Sequence, residues 1–185
     1  MAEIKGFAIR GLLKFVKESN YPGGIPAVLS RLSADEQELF ASPITSSGWY
    51  PYSTFAHLLR VIDQTVGKGD VSQARRIGEV SAERDVHGVF KIIGAMAGFQ
   101  TLLPRSPIFW PRYFNRGKLV ALDVGDRGAR LQIHDFPEID PIHCIVLEGW
   151  FEKIGGLFGA KNVRVRHTAC VHRGSLVCEY TITYG

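Results

Sequence analysis

Apolar positions recur with two different periods, and the change of period divides the chain. Phe7, Ile9, Leu12, Leu13, Phe15 and Val16 follow helical spacing, and Tyr21-Pro22-Gly23-Gly24 stops that helix. A shorter helix is predicted over residues 25–32. Ser33, with Glu36 three residues on, has the form of a capping box and predicts another helix start. Residues 43–52 read as a loop by their Pro, Ser and Gly content, although Trp49, Tyr50 and Tyr52 lie within them. Residues 52–66 form an amphipathic helix through Phe55, Leu58, Leu59 and Ile62, ending at Gly67-Lys68-Gly69. Residues 71–80 and 85–99 continue in helical character, with a joint expected at 81–84. The second of these is apolar on most faces and rich in small residues, as in a helix that packs closely or lines a cavity. Pro104, Pro107 and Pro111 end the helical half.

Beyond them the period becomes two. Residues 118–124 and 129–134 alternate apolar and polar side chains around Gly125-Asp126-Arg127-Gly128, which predicts a hairpin with one buried face. Residues 141–158 form a helix with Cys144, Leu147, Phe151, Ile154 and Phe158 on one side. Residues 163–170 and 176–184 form a second hairpin closed by His172-Arg173-Gly174-Ser175. The expected fold is α+β: a helical part over residues 1–111, packed on an antiparallel β-β-α-β-β part over residues 112–185, within one domain.

Composition narrows the function classes. The 185 residues are 45% hydrophobic and 22% charged, as in an ordinary globular domain. A net charge of +4 is mild, and only Arg164, Arg166 and Arg173 gather, so no nucleic-acid reader is expected. No apolar run approaches the ~20 residues of a membrane span. With three cysteines and no apolar leader core, the chain is expected to be cytoplasmic with reduced thiols.

Those thiols carry the clearest chemistry. Cys144, His167, Cys170 and Cys178 read C-x22-H-x2-C-x7-C, three thiols and an imidazole suited to closed, tetrahedral zinc. Ordinary buried cysteines are the plain alternative. Residues 167 and 170 fall on opposite faces of a regular strand, so a bulge near Thr168-Ala169 is required before both reach one ion. Such an ion would be structural and not catalytic, because protein fills every position. There is no glycine-rich phosphate loop, no G-x-S-x-G and no paired carboxylates on a helix face, so no enzyme is expected.

The same four positions resemble the 4-vinyl reductase domain family, whose zinc-containing members use Cys-x22-Glu-x2-Cys-x7-Cys; histidine here replaces glutamate. Ile4-Lys5-Gly6-Phe7 with residues 12–18 resembles the opening of haem nitric-oxide-binding (H-NOX) domains. Trp49-Tyr50-Pro51, residues 105–111 and Asn115-Arg116-Gly117 look like an uncharacterised family expanded in myxobacteria. These families and the trafficking subunit Bet3 are similar in fold, which implies a helical layer over an antiparallel sheet with a buried pocket between them. The H-NOX signature implies haem held by Tyr-x-Ser-x-Arg, but Tyr113-Phe114-Asn115-Arg116-Gly117 lacks that spacing. His87 has the residue type of an axial ligand without matching flanks, so haem is not expected.

The function expected is a non-enzymatic, small-molecule-binding sensory domain with an apolar pocket. Its candidate lining is Trp49, Tyr50, Phe55, His87, Phe90, Ile93, Met96, Phe99, Phe109, Trp110 and Tyr113. The ligand expected is small and hydrophobic or aromatic. Output through contact implies a homodimer or a signalling partner. A Bet3-like adaptor and a haem-binding gas sensor are the alternatives.

Overall fold

The computed structural model describes residues 1–88 and 98–185, and only the backbone at 87 and 88. Strand β1 (Glu3–Lys5) leads into helix α1 (Gly6–Glu18), whose Ile9, Leu12 and Val16 are buried. Short helices α2 (Gly24–Leu29) and α3 (Ala34–Leu39) follow. The expected capping box starts α3: Ser33 Oγ accepts from the Glu36 N–H, and the Glu36 carboxylate accepts from the Ser33 N–H.

The segment read as a loop contains a strand, β2 (Trp49–Pro51), antiparallel to β1 with Ile4 opposite Tyr50. Three residues are too few to display a period of two. Helix α4 (Tyr52–Thr65) begins at once and buries Phe55, Leu58, Leu59 and Ile62. Helix α5 (Val71–Gly88) is continuous through the expected joint. Ser81-Ala82-Glu83-Arg84 holds neither glycine nor proline, and nothing there breaks the hydrogen-bond ladder.

The proline-rich stretch keeps helical turns past the expected end. Helix α6 (Phe99–Leu102), a 3-10 segment (Leu103–Phe109) and α7 (Trp110–Tyr113) run on, with Pro104 and Pro111 in first-turn positions where a missing N–H is harmless. Strands β3 (Lys118–Gly125) and β4 (Gly128–His134), helix α8 (Pro141–Leu157), and strands β5 (Arg164–Ala169) and β6 (Cys178–Thr183) complete the chain as β-β-α-β-β. The antiparallel sheet has the order β3-β4-β6-β5.

Alternation sets the sheet's two faces. Ala129, Leu131 and Ile133 of β4 and Cys178, Tyr180 and Ile182 of β6 are buried. Opposite them Arg130, Gln132 and Glu179 join in a hydrogen-bonded polar row. Asp140 caps α8 by accepting from the Ile142 N–H, and Pro141 pre-sets its first turn. The helix packs on β5 and β6 and along α5.

That last crossing is unusually close. A Cβ on Gly78 of α5 would lie 1.9 Å from the Val146 carbonyl oxygen of α8, and one on Gly149 would lie 2.1 Å from the Arg75 carbonyl oxygen of α5. Two glycines, one on each helix, therefore let the backbones touch. Arg75 of α5 also bridges Glu148 and Glu152 of α8. These carboxylates accept from the backbone N–H groups of His167 and Val165. Unpaired donors of the edge strand β5 are thus satisfied by side chains of the helix beneath it.

Candidate functional site

Cys144, His167, Cys170 and Cys178 converge: one potential ligand atom from each lies within 4.8 Å of the others. Cys144 leaves α8, His167 belongs to β5, Cys178 opens β6, and Cys170 precedes a 3-10 turn (Val171–Arg173). The register of β5 against β6 shifts between His167 and Ala169, where the parity argument requires a bulge. Gly174 then takes the left-handed conformation at φ 84°, and the Cys170 carbonyl accepts from the Arg173 and Ser175 N–H groups, tightening the connection.

The donor geometry suits a tetrahedral ion. Cys178 Sγ lies 3.9 Å from Cys144 Sγ and 4.0 Å from Cys170 Sγ. Four ligands around zinc with Zn–S near 2.3 Å place sulfurs about 3.8 Å apart. All three cysteines are unpaired and buried. The Cys144 S–H stabilises a thiolate at Cys178 and holds it well below the usual thiol range, while that shared hydrogen bond and burial push Cys144 up. His167 Nε2 is buried with no hydrogen-bond partner among the described residues, and its ring stacks on Tyr180 at 4.8 Å. A buried ring nitrogen beside three thiols completes a donor set of the kind that holds zinc. The residues present therefore fit zinc.

A second feature lies beneath the sheet. An apolar cavity of about 100 Å³ is bordered by α1, α4, α5, the proline-rich turns and α8, with Leu119, Leu131 and Ile182 of the sheet as its floor. Of the residues expected to line a pocket, Phe55, Phe99, Phe109, Trp110 and Tyr113 are on this wall. Trp49 and Tyr50 are elsewhere. Trp49 is 39% exposed with the Lys5 ammonium 3.9 Å above its ring, and the Tyr50 hydroxyl accepts from the Thr45 N–H. The side chain of His87, and Phe90, Ile93 and Met96, lie outside the described residues.

The cavity has polar groups that sequence reasoning did not select. Asp85 is buried and accepts from the Tyr113 hydroxyl at 2.6 Å and the Trp150 indole N–H at 3.0 Å. Burial raises its carboxyl above the usual range against the lowering effect of those two bonds. His143, adjacent to Cys144, is 4% exposed, and burial pushes its imidazole down to about 3, so it is neutral. Its Nδ1 lies 2.8 Å from the Tyr52 hydroxyl. Ser106 Oγ, also on the wall, is buried with no partner among the described residues. Residues 28 to 91 positions apart make these contacts, so no local motif announces them.

A helical cap over a four-stranded antiparallel sheet, with an apolar cavity between them, defines an α+β fold of two layers. It is the fold of H-NOX domains. An H-NOX protein from S. oneidensis in the Fe(II)NO ligation state superposes at a TM-score of 0.70 with 14% identity, over 98% of this chain and 99% of that one. The H-NOX from Shewanella woodyi in the Fe(II)CO ligation state gives 0.68 at 16% identity, over 97% and 94%. The unliganded Fe(II) H-NOX protein from K. algicida gives 0.67 at 10% identity, over 98% and 96%. At these identities the likeness is one of fold. No family model and no curated protein matches the chain. The resemblance to 4-vinyl reductase domains thus rests on the four donor positions.

Among the described residues, the Tyr-x-Ser-x-Arg that the H-NOX resemblance implies for haem has no counterpart. Tyr113 and Arg116, nearest to the haem-holding signature, are engaged by Asp85 and Glu138. His143 is the one imidazole on the described wall, and its Nδ1 meets Tyr52.

Proposed function

We propose that this chain is a sensory domain that binds a small apolar molecule beneath the sheet and holds a structural zinc ion through Cys144, His167, Cys170 and Cys178. The ligand reading is supported by the apolar cavity between helices and sheet. A filled interior would instead have favoured the Bet3-like adaptor. The volume suits a ligand of a few heavy atoms, since an apolar cavity of about 150 Å³ binds benzene or xenon. The zinc reading is supported by three thiols and an imidazole within 4.8 Å of one another. With all four positions supplied by protein, the ion would tie α8 to the β5–β6 hairpin and contribute folding energy. Signalling would pass by contact, through a homodimer or a protein partner.

Native mass spectrometry with zinc quantified on the same sample tests the metal, and xenon uptake tests the cavity. One zinc per chain, lost in Cys170→Ser, is the expected result. Zinc-free protein from reducing, chelator-free preparation overturns the metal site. Failure to take up xenon overturns the ligand reading.

A second reading, a haem-containing gas sensor, is favoured by the H-NOX fold. It would draw its iron ligand from outside the described side chains, with His87 the candidate. Stoichiometric iron and a Soret band lost in His87→Ala would establish it over the first.

A further inference from the structure

From the hydrogen-bond order around His143 we infer that the cavity takes an uncharged small molecule bearing one hydrogen-bond acceptor, a carbonyl or hydroxyl oxygen, and that His143 Nε2–H receives it. The inference rests on the ligand-binding reading and adds the polar half of the ligand.

The argument begins at Tyr52, which is 2% exposed. Its hydroxyl lies 3.0 Å from the Asp140 backbone nitrogen and 2.8 Å from His143 Nδ1. An N–H can only donate, so the Asp140 N–H donates to the Tyr52 oxygen. The phenol has a single proton, and among the described residues His143 Nδ1 is its one remaining acceptor. Were Nδ1 protonated instead, the Tyr52 proton would be buried without an acceptor, at a cost the alternative avoids. Tyr52 therefore donates to Nδ1, and the neutral ring carries its own proton on Nε2.

Direction follows from what lines the cavity. His143, Phe55 and Phe114 face it, whereas Tyr52 does not. Phe55 and Phe114 pack on the imidazole at centroid distances of 5.3 and 5.7 Å. With Nδ1 turned to Tyr52, which is off the cavity wall, the Nε2 edge is the one left for the cavity that His143 lines, and no hydrogen bond from Nε2 to a described residue is formed. A donor without a partner, on a largely apolar wall, selects a ligand that supplies an acceptor. A proton on Nε2 also denies that nitrogen to iron, separating this site from a haem pocket. Asp140, which orients Tyr52, is held by Arg60, so the donor is fixed from outside the cavity through three residues.

Cyclopentanone and methylenecyclopentane, which differ by oxygen for CH₂ at one position, provide the test. Their binding to the full chain would be measured by headspace gas chromatography, for wild type and His143→Phe. The inference expects the ratio of ketone to alkene affinity to fall by roughly three- to tenfold in the variant, the equivalent of one neutral hydrogen bond. An unchanged ratio overturns it. Failure of both probes to bind wild type overturns the ligand-binding reading and the inference with it. If His143→Phe does not fold, ¹⁵N NMR of wild-type histidines decides: protonated Nε2, shifting on addition of cyclopentanone, upholds the inference, and protonated Nδ1 overturns it.

Discussion

Replacing Gly149 by alanine tests the closest packing in the molecule. In a helix interior with free space, glycine to alanine stabilises by up to about 1 kcal/mol. Here the new Cβ would fall 2.1 Å from the Arg75 carbonyl oxygen, and its counterpart on Gly78 would fall 1.9 Å from that of Val146. Both obstacles are backbone atoms within helices, and no rotamer change can clear them. Restoring ordinary contact requires α5 and α8 to part by more than 1 Å. A gap of about that size forfeits a quarter to a half of the attraction between facing atoms. Overpacking of this kind costs about 1–3 kcal/mol and occasionally more, and two rigid backbones argue for the upper end. After the propensity gain, a net loss of about 2 kcal/mol is expected, or roughly 4–8 °C in Tm for a domain of this size. Urea denaturation would measure it through a lower midpoint at unchanged slope. Gly78→Ala should behave alike, and the double variant should lose less than the sum, because a crossing opened by one methyl accommodates the second. A Gly149→Ala protein as stable as wild type would refute the close-crossing argument.

Three further outcomes are expected. Desolvation holds the Asp85 carboxyl protonated to higher pH in the folded chain than in the unfolded one, so the folded state binds more protons above pH 3.8 and stability falls as pH rises through that window. Asp85→Asn, which can still accept from Tyr113 and Trp150, should therefore show a flatter profile from pH 4 to 7, by up to about 1.4 kcal/mol per pH unit, in urea titrations; parallel curves would contradict it. Ser33→Ala removes the α3 cap and should cost about 1 kcal/mol, visible as faster amide exchange in α3. Chelating the metal from zinc-loaded protein should lower Tm and expose the Cys144, Cys170 and Cys178 thiols to Ellman's reagent, whereas thiols equally reactive before and after would count against the zinc site.

How much of this could be read from sequence follows from the range of each interaction. Helix and strand periods are local, and they disclosed α1, α4, the β3–β4 hairpin and α8 because each buries one repeating face. The four donors were legible because three are the chain's only cysteines, and strand parity placed the bulge that the register shift after His167 supplies. The strand at Trp49–Pro51 was hidden by its length, and its aromatics turn toward Lys5 and Thr45 instead of the cavity. Gly78 and Gly149 read as two weak points of separate helices, since only their crossing gives them meaning.

Consecutive residues of α8 join the two candidate sites. Cys144 contributes to the donor cluster, and His143 lies on the cavity wall. Neighbours on a helix point about 100° apart, so one turn of α8 serves both without either group reaching across the other. The helix has little freedom to slide. Its backbone is locked to α5 at the glycine crossing, and Glu148 and Glu152 bind the edge of β5. Asp140 and Tyr52 hold its first turn. An ion joining Cys144 to β5 and β6 would fix the remaining coordinate, the distance of α8 from the hairpin. Because the cavity's floor is the same sheet, that distance also sets the space beneath it. Metal loading and cavity binding should therefore be thermodynamically linked, each changing the other's affinity by the same factor. Xenon uptake measured with and without zinc, and zinc affinity measured with and without xenon, should each change; a factor of one in both would mean that the two sites are independent and would refute the coupling through α8.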